Sequence, residues 1–317
     1  MLTVRLPGDM EKKLNALSRA TNRSKSYYAR KALKQVMGDR KVEIQKIDWN
    51  TAWYSAQLKS HFKPRYRGAA FWNRRAPAFA GRQKHKSDYP RQFLEIFRPM
   101  PHWRVLDVGC GAGTLAIPLA ERVAAVTALD FSENMLALLE RETLKQQIAN
   151  ITTVLAGWQD DWEDMGIEPH DVVIASRSLI ADDLTSAIEK LNRFARHRVY
   201  ISAIVGDGPF DRRIIEAAGR VHQPGPDYIY VLNLLHQMAI YANLAFTIHP
   251  VTRTYENYED ALQQSLWMIE GITLREQGRL RRFFRNNLVR QDTRWVLPGM
   301  APVRWAVMWW DAPGRSH

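Results

Sequence analysis

Three glycines stand at alternate positions directly behind a carboxylate: residues 106 to 114 read Leu-Asp-Val-Gly-Cys-Gly-Ala-Gly-Thr. Glycines so spaced belong where a chain turns sharply and a ligand must come close to the backbone. The dinucleotide fingerprint G-x-G-x-x-G is not met, because Thr114 stands where its last glycine belongs. A second acid, Asp130, lies seventeen residues beyond Gly113. In open α/β folds an acid at the carboxyl end of strand two pairs with the hydroxyls of a ribose, at the topological switch beside strand one. Cys110, inside the loop, is the one cysteine of the chain, which excludes an internal disulfide and a cysteine-built metal cluster. No metal is expected.

The elements that must position these groups are legible around them. Arg104-Val-Leu-Asp-Val108 is a short apolar strand, the glycine loop follows, and Thr114 to Arg122 reads as a helix. Ala125 to Leu129 is a second strand ending in Asp130, Ile151 to Leu155 a third, Asp171 to Ser176 a fourth and Val199 to Val205 a fifth. Strands over 245–254 and 304–310, with helices over 228–242 and 258–269, bring the count to seven strands.

The motif D-x-G-x-G-x-G, the acid after strand two and the helix start Phe131-Ser-Glu-Asn-Met-Leu136 together resemble the class I, Rossmann-like methyltransferases that use S-adenosylmethionine. That resemblance implies a doubly wound α/β fold, a seven-stranded sheet with helices on both faces whose last two strands are antiparallel. It implies that Gly109, Gly111 and Gly113 admit the methionine part of the donor, that Asp107 orients its amino group and that Asp130 holds its ribose. Phe131 and Met135 would lie near the adenine. Where the family often has Asp after Gly to meet the adenine amino group, this chain has Trp158; either its ring stacks on the base, or Gln159 or Asp160 reaches it. Ser176 and Arg177 close the fourth strand, where donor and acceptor meet in that family. No DNA-methylating tetrad follows the fourth strand, which continues Ser176-Arg-Ser-Leu179, and no Pro-Cys nucleophile is present.

The ends of the chain differ in charge. Residues 1 to 92 hold 22 Lys and Arg against 6 Asp and Glu, whereas residues 93 to 317 hold 23 against 27. The whole excess of +12 is N-terminal, the pattern of a surface that meets a polyanion. Leu2-Thr-Val-Arg-Leu6 alternates apolar and polar as a short strand. Asp9 can cap a helix to about Ala20, and Ser24 a second one from Lys25 to Met37. A lone strand and two helices bury too little by themselves, so a two-fold dimer sharing an antiparallel ribbon is expected. The arrangement resembles the ribbon-helix-helix repressors and antitoxins over residues 1 to 38. By that resemblance Thr3 and Arg5 read base edges of a DNA operator, while Ser24 and Lys25 hold a phosphate at a helix start.

Between the two lies a stretch, 41 to 92, in which aromatic and basic residues interleave. A nucleic-acid surface built on stacking is one possibility. A helical lid is the other, because Trp72 to Ala80 looks like the segment that precedes the cofactor domain in small-molecule methyltransferases, with Trp72 against the acceptor. The expected organisation is thus a ribbon-helix-helix module over 1–40, a basic aromatic linker and lid over 41–92 and a methyltransferase domain over 93–317. The expected activity is methyl transfer to a small-molecule acceptor, fused to DNA binding that serves transcription regulation. A donor-sensing regulator with little turnover and an RNA methyltransferase are the rivals. The seven arginines from Arg275 to Arg294 read as a solvated helix face. No apolar run is long enough for a membrane span and no signal peptide is seen, so the expected place is the cytoplasm.

Overall fold

Strand-forming residues at 104–108, 125–130, 151–155, 170–176 and 195–204 are separated by helical or turn segments, the alternation that builds a parallel sheet. In the computed structural model, residues 8–21, 47–60, 68–80, 88–250 and 253–312 are described. The chain divides into two units, 1–48 and 49–317. Within the first, α1 spans Gly8–Thr21 with Arg19 in its last turn; it starts before Asp9, which the sequence pattern takes as its cap, and ends one residue beyond Ala20. The expected ribbon strand and second helix, with Thr3, Arg5, Ser24 and Lys25, lie outside the described residues.

The second unit opens with three helices, α2 (Trp49–Lys59), α3 (Ala69–Ala80) and α4 (Tyr89–Phe97). Then follow β1 (Arg104–Val108), α5 (Ala116–Ala120), β2 (Ala125–Asp130), α6 (Glu133–Gln146), β3 (Ile151–Leu155), β4 (His170–Ser176), α7 (Leu184–Phe194) and β5 (Ala195–Ile204). The later part comprises α8 (Arg212–Ala217), α9 (Tyr228–Gln237), β6 (Asn243–His249), β7 (Thr254–Tyr255), α10 (Tyr258–Ser265), α11 (Leu274–Asn287), β8 (Val289–Gln291), β9 (Arg294–Val296) and β10 (Val303–Asp311). Seven strands form one sheet in the order β3-β2-β1-β4-β5-β10-β6. β1 to β5 pair in parallel, while β10 enters between β5 and β6 and runs antiparallel to both. Only β10 is therefore reversed. The order turns around at β1 and β4, the switch point at which such sheets bind ligands.

Side-chain alternation gives the sheet two covered faces. Val105, Val172, Ile174, Tyr200 and Val307 pack with α4 and with Leu119 and Leu139 of α5 and α6. Leu106, Val173, Ile201 and Met308 pack on the other side with Trp53 of α2, Ile188 of α7 and Leu235 of α9. The segment from residue 49 onward therefore belongs to the body of this unit: Trp53 donates its indole N–H to the Ala181 carbonyl at 2.8 Å and is 5% exposed. A third core, around Ile214, Tyr255, Leu262, Leu280 and Phe284, joins α8, α10 and α11 to a small sheet β7-β9-β8. That second sheet has no counterpart in the sequence-based expectation, nor has the break that separates β6 from β7. Among the described residues no helix is long and apolar enough to cross a membrane.

Candidate active site

β1 delivers Asp107 and then the glycine loop to the carboxyl edge of the sheet, beside the switch point. Gly109, Gly111 and Gly113 all take the left-handed conformation, with φ of 70, 56 and 83°. Two of them need glycine for different reasons. A Cβ on Gly109 would lie 2.3 Å from that of Ser178, whose hydroxyl donates to the Val108 carbonyl and pins the loop after β4 onto β1. A Cβ on Gly111 would meet nothing within 4 Å, so the backbone there borders open space. Because the loop consumes residues 110 to 115 in turns, the following helix is only Ala116–Ala120, shorter than the sequence pattern predicts.

Asp130, 7% exposed at the end of β2, accepts from the Gly111 N–H through Oδ2 and from the Ser132 N–H through Oδ1, each at 2.8 Å. Burial pushes its carboxyl above the usual range, and the two backbone donors pull it back. Asp107 is more extreme. It is 2% exposed, its Oδ2 has no hydrogen-bond partner among the described residues, and its carboxyl is pushed up to about 7. Burial is the main cause, the charge of Asp130 adds to it and Arg177 opposes it. The thiol of Cys110 is also pushed up by burial, leaving it inert.

These groups test whether an S-adenosylmethionine would fit. A buried acid with an orphaned oxygen calls for a cationic donor, and an ammonium supplies one. Asp130 beside the open Gly111 matches a ribose. The polarity and spacing fit the donor, with Asp107 toward its amino group and Asp130 toward its hydroxyls.

The expected lid segment is α3, which lies on this loop. Ala76 packs with Ala112 and Met135, flanked by Trp72 and Phe79, whose rings meet at 6.1 Å. Asn73 ties the helix down: its Oδ1 accepts from the Ser132 hydroxyl at 2.6 Å and from the Asn134 N–H at 3.3 Å. Met135 is 2% exposed within that cluster, and its N–H caps onto Ser132. Phe131 faces Gly157 across the ends of β2 and β3; a Cβ on Gly157 would sit 3.4 Å from that of Phe131. Trp158 turns toward the loop after β4, donating its indole N–H to the Ser178 carbonyl at 3.0 Å and packing on Trp162. Asp160 accepts from the Gly157 N–H at 2.7 Å.

Across the edge from Asp130, the structure gathers residues that sequence spacing did not bring together. Tyr89, 1% exposed, has its hydroxyl within hydrogen-bond distance of Ser176 Oγ and, at 2.8 Å, of Ser202 Oγ. Its ring lies 5.4 Å from His249, whose Nε2 meets the Thr247 hydroxyl at 3.0 Å and whose pKa is lowered by burial. Arg177 is exposed to the cleft with its guanidinium 4.0 Å over the Tyr89 ring and 5.5 Å from Trp305. Tyr89 stood in the aromatic stretch of the sequence and gave no more specific signal; Ser202, His249, Trp305 and Asn73 gave none. Ser176 and Arg177 are where the sequence placed them, at the end of β4.

Among the described residues no group of three or more His, Cys, Asp or Glu could hold a metal ion. A cavity of about 260 Å3 lined by His102, Arg196, His197 and Asp311 opens at the amino edge, opposite the chemistry. The arginines from 279 to 294 are mostly engaged, for example Arg281 with Glu259 at 2.8 Å and Arg279 with the Ala218 carbonyl at 3.1 Å.

Residues 105–198 match the family model described as a methyltransferase domain. A protein of Haemophilus influenzae, described only as uncharacterized, is 35% identical over 243 residues, which cover 76% of this chain and 88% of that protein. Two Streptomyces proteins match over shorter stretches. The cypemycin N-terminal methyltransferase is 33% identical over 108 residues, covering 33% of this chain and 41% of its own length. The aklanonic acid methyltransferase is 31% identical over 110 residues, covering 33% and 47%. This chain thus spans less than half of either. The chain belongs to one family with the Haemophilus protein, and residues 105–198, with β1, the glycine loop and both acids, carry a methyltransferase domain.

Proposed function

We propose that the protein transfers a methyl group from S-adenosylmethionine to a small molecule. The observation that carries this is the pair of buried acids at the switch point: Asp107 with an orphaned oxygen, and Asp130 holding the loop beside the open Gly111. When bound, the donor supplies a methyl group on a positively charged sulfur, and transfer needs chiefly an aligned acceptor and, for some acceptors, removal of a proton. The chain's own contribution is to hold the donor across the ends of β1 and β2, to cover it with α3, and to present the ends of β4, β5 and β10 to the acceptor. The Streptomyces relatives, by their names, act on the N-terminus of cypemycin and on aklanonic acid, which supports an acceptor outside nucleic acid. Calorimetry with S-adenosylmethionine and S-adenosylhomocysteine tests the donor site. Wild type should bind both, Asp130→Ala at least tenfold more weakly, and equal binding by the variant would overturn the assignment.

The basic N-terminus supports a further part of the proposal, that residues 1–48 form a DNA-binding dimer through which methyl transfer or donor supply is linked to transcription. A gel shift with DNA from upstream of the coding sequence should show a complex that Arg5→Ala abolishes. An unchanged shift would leave residues 1–48 a dimerisation arm.

A further inference from the structure

Arg177 is a long, charged residue in the left-handed conformation, with φ of 59°. A non-glycine residue there is strained and persists only where its surroundings impose it. Here they do: the Arg177 N–H donates to the Ser202 carbonyl at 3.1 Å, and Ser178 is pinned to Val108. Between these anchors the side chain has one way out, over β5 toward β10. Its guanidinium carbon lies 4.0 Å over the Tyr89 ring and 5.5 Å over that of Trp305. Among the described residues no carboxylate lies within ion-pair distance of it. Protein atoms surround the group, which lowers its pKa, yet the residue keeps accessible surface.

A guanidinium stacked on aromatic rings keeps its planar fork of donors for one further partner, and the fork matches a carboxylate. Burial, and then the charge of Arg177, lowers the pKa of His249 beyond Tyr89, so the lasting positive charge of this wall is that of Arg177. Gly111 and Asp130 lie at the ends of β1 and β2, whereas the Arg177 guanidinium lies against Trp305 of β10, on the other side of β4.

We propose that Arg177 anchors a carboxylate of the methyl acceptor, which is therefore a small organic acid seated against the aromatic wall of Tyr89 and Trp305. The inference rests on the methyl-transfer function proposed above and names the substrate class for it.

The test uses the full chain and calorimetry. S-adenosylhomocysteine is titrated into wild type, Arg177→Met and Arg177→Lys. Benzoate and indole-3-acetate, each against its amide, are then titrated into the same proteins with and without saturating S-adenosylhomocysteine. The expected result is that wild type prefers each acid over its amide at least tenfold. Arg177→Met should lose the preference and Arg177→Lys keep part of it, with S-adenosylhomocysteine affinity within twofold of wild type as proof of an intact fold. No preference in wild type, or a preference that survives in Arg177→Met, overturns the proposal. A tenfold loss of S-adenosylhomocysteine affinity in both variants overturns it too, by giving Arg177 to the donor's own carboxylate. Failure of wild type to bind S-adenosylhomocysteine would sink the methyl-transfer function, while the acid-against-amide comparison without it would still decide the role of Arg177.

Discussion

Asp107 should make donor binding depend on pH in a way that can be worked out beforehand. Its carboxyl is pushed up to about 7, first by burial and then by Asp130, so near neutrality about half of the free protein carries it protonated. An ammonium placed against its orphaned oxygen favours the ionised form, and binding must then release a proton. Protonation weakens the apparent affinity by about 1 + 10^(7 − pH), which is roughly elevenfold at pH 6 and negligible at pH 8. The difference is about 1.4 kcal/mol. Titrating S-adenosylhomocysteine at pH 6, 7 and 8, in buffers of different ionisation heat, measures both the affinity and the released proton. Asp107→Asn removes the titrating group while keeping its shape, so its affinity should be lower at pH 8 and flat between pH 6 and 7. Wild-type affinity that does not change from pH 6 to 8, or an equal slope in Asp107→Asn, would refute the assignment. Stability carries the opposite sign. An acid whose folded pKa is raised contributes fully only below its unfolded value of about 4, and that contribution is lost as pH rises toward 7. Asp107→Asn should therefore gain stability over wild type across that window, by a few kcal/mol at most.

The two glycines should separate structure from binding. Gly109→Ala drives a Cβ to 2.3 Å from Ser178 and should cost about 2 to 4 kcal/mol in urea unfolding, whereas Gly111→Ala, which meets nothing, should cost about 1 kcal/mol for its φ and lose donor affinity in calorimetry. Asn73→Ala removes the acceptor for Ser132 and Asn134, so limited proteolysis should cut near α3 sooner and donor release should quicken several-fold in stopped flow. Tyr89→Phe deletes the hydroxyl shared with Ser176 and Ser202; because the two serines remain 3.2 Å apart and can bond each other, unfolding should show a loss of about 1 kcal/mol and no more than about 2.

What the sequence reveals of this fold follows from where its signals are local. β1, the loop and β2 are adjacent in the chain, and an apolar strand running into alternating glycines states both the turn and the ligand. The donor half of the site is written in residues 107 to 135 for that reason. β8 and β9 are three residues each, and Val289, Arg290 and Gln291 are all exposed, so no apolar alternation marks them. The strand expected over 245–254 merges β6 with β7, since apolar residues continue past His249; Pro250, which cannot donate to a ladder, ends β6. The helix expected to reach residue 242 stops at Gln237, and Ala239 turns left-handed with φ of 58°. The acceptor half was hidden for a different reason. Tyr89, Ser176, Ser202, His249 and Trp305 are spread over more than 200 positions, and only α4 lying across the ends of β4, β5 and β10 makes them neighbours.

That division also gives the edge its electrostatic sense. Asp107 and Arg177 close adjacent parallel strands, in register through Asp107 and Ile174, yet they face different neighbours. Asp107 shares its surroundings with Asp130: burial first and then the charge of Asp130 raise the cost of ionising it. Arg177 leans on aromatic rings and lacks an acid at ion-pair distance. Had the two been paired, the Asp107 carboxyl would lie clearly below about 7, because a contacting guanidinium favours the ionised form. The fold keeps them apart by sending Arg177 out through a left-handed turn. The edge thus carries two acids that are costly to ionise over β1 and β2 and, over β4 and β5, an arginine with no acid at ion-pair distance among the described residues. Two ligands of opposite local charge, an ammonium on one side and an acid on the other, would relieve both, and bring donor and acceptor together at the end of β4.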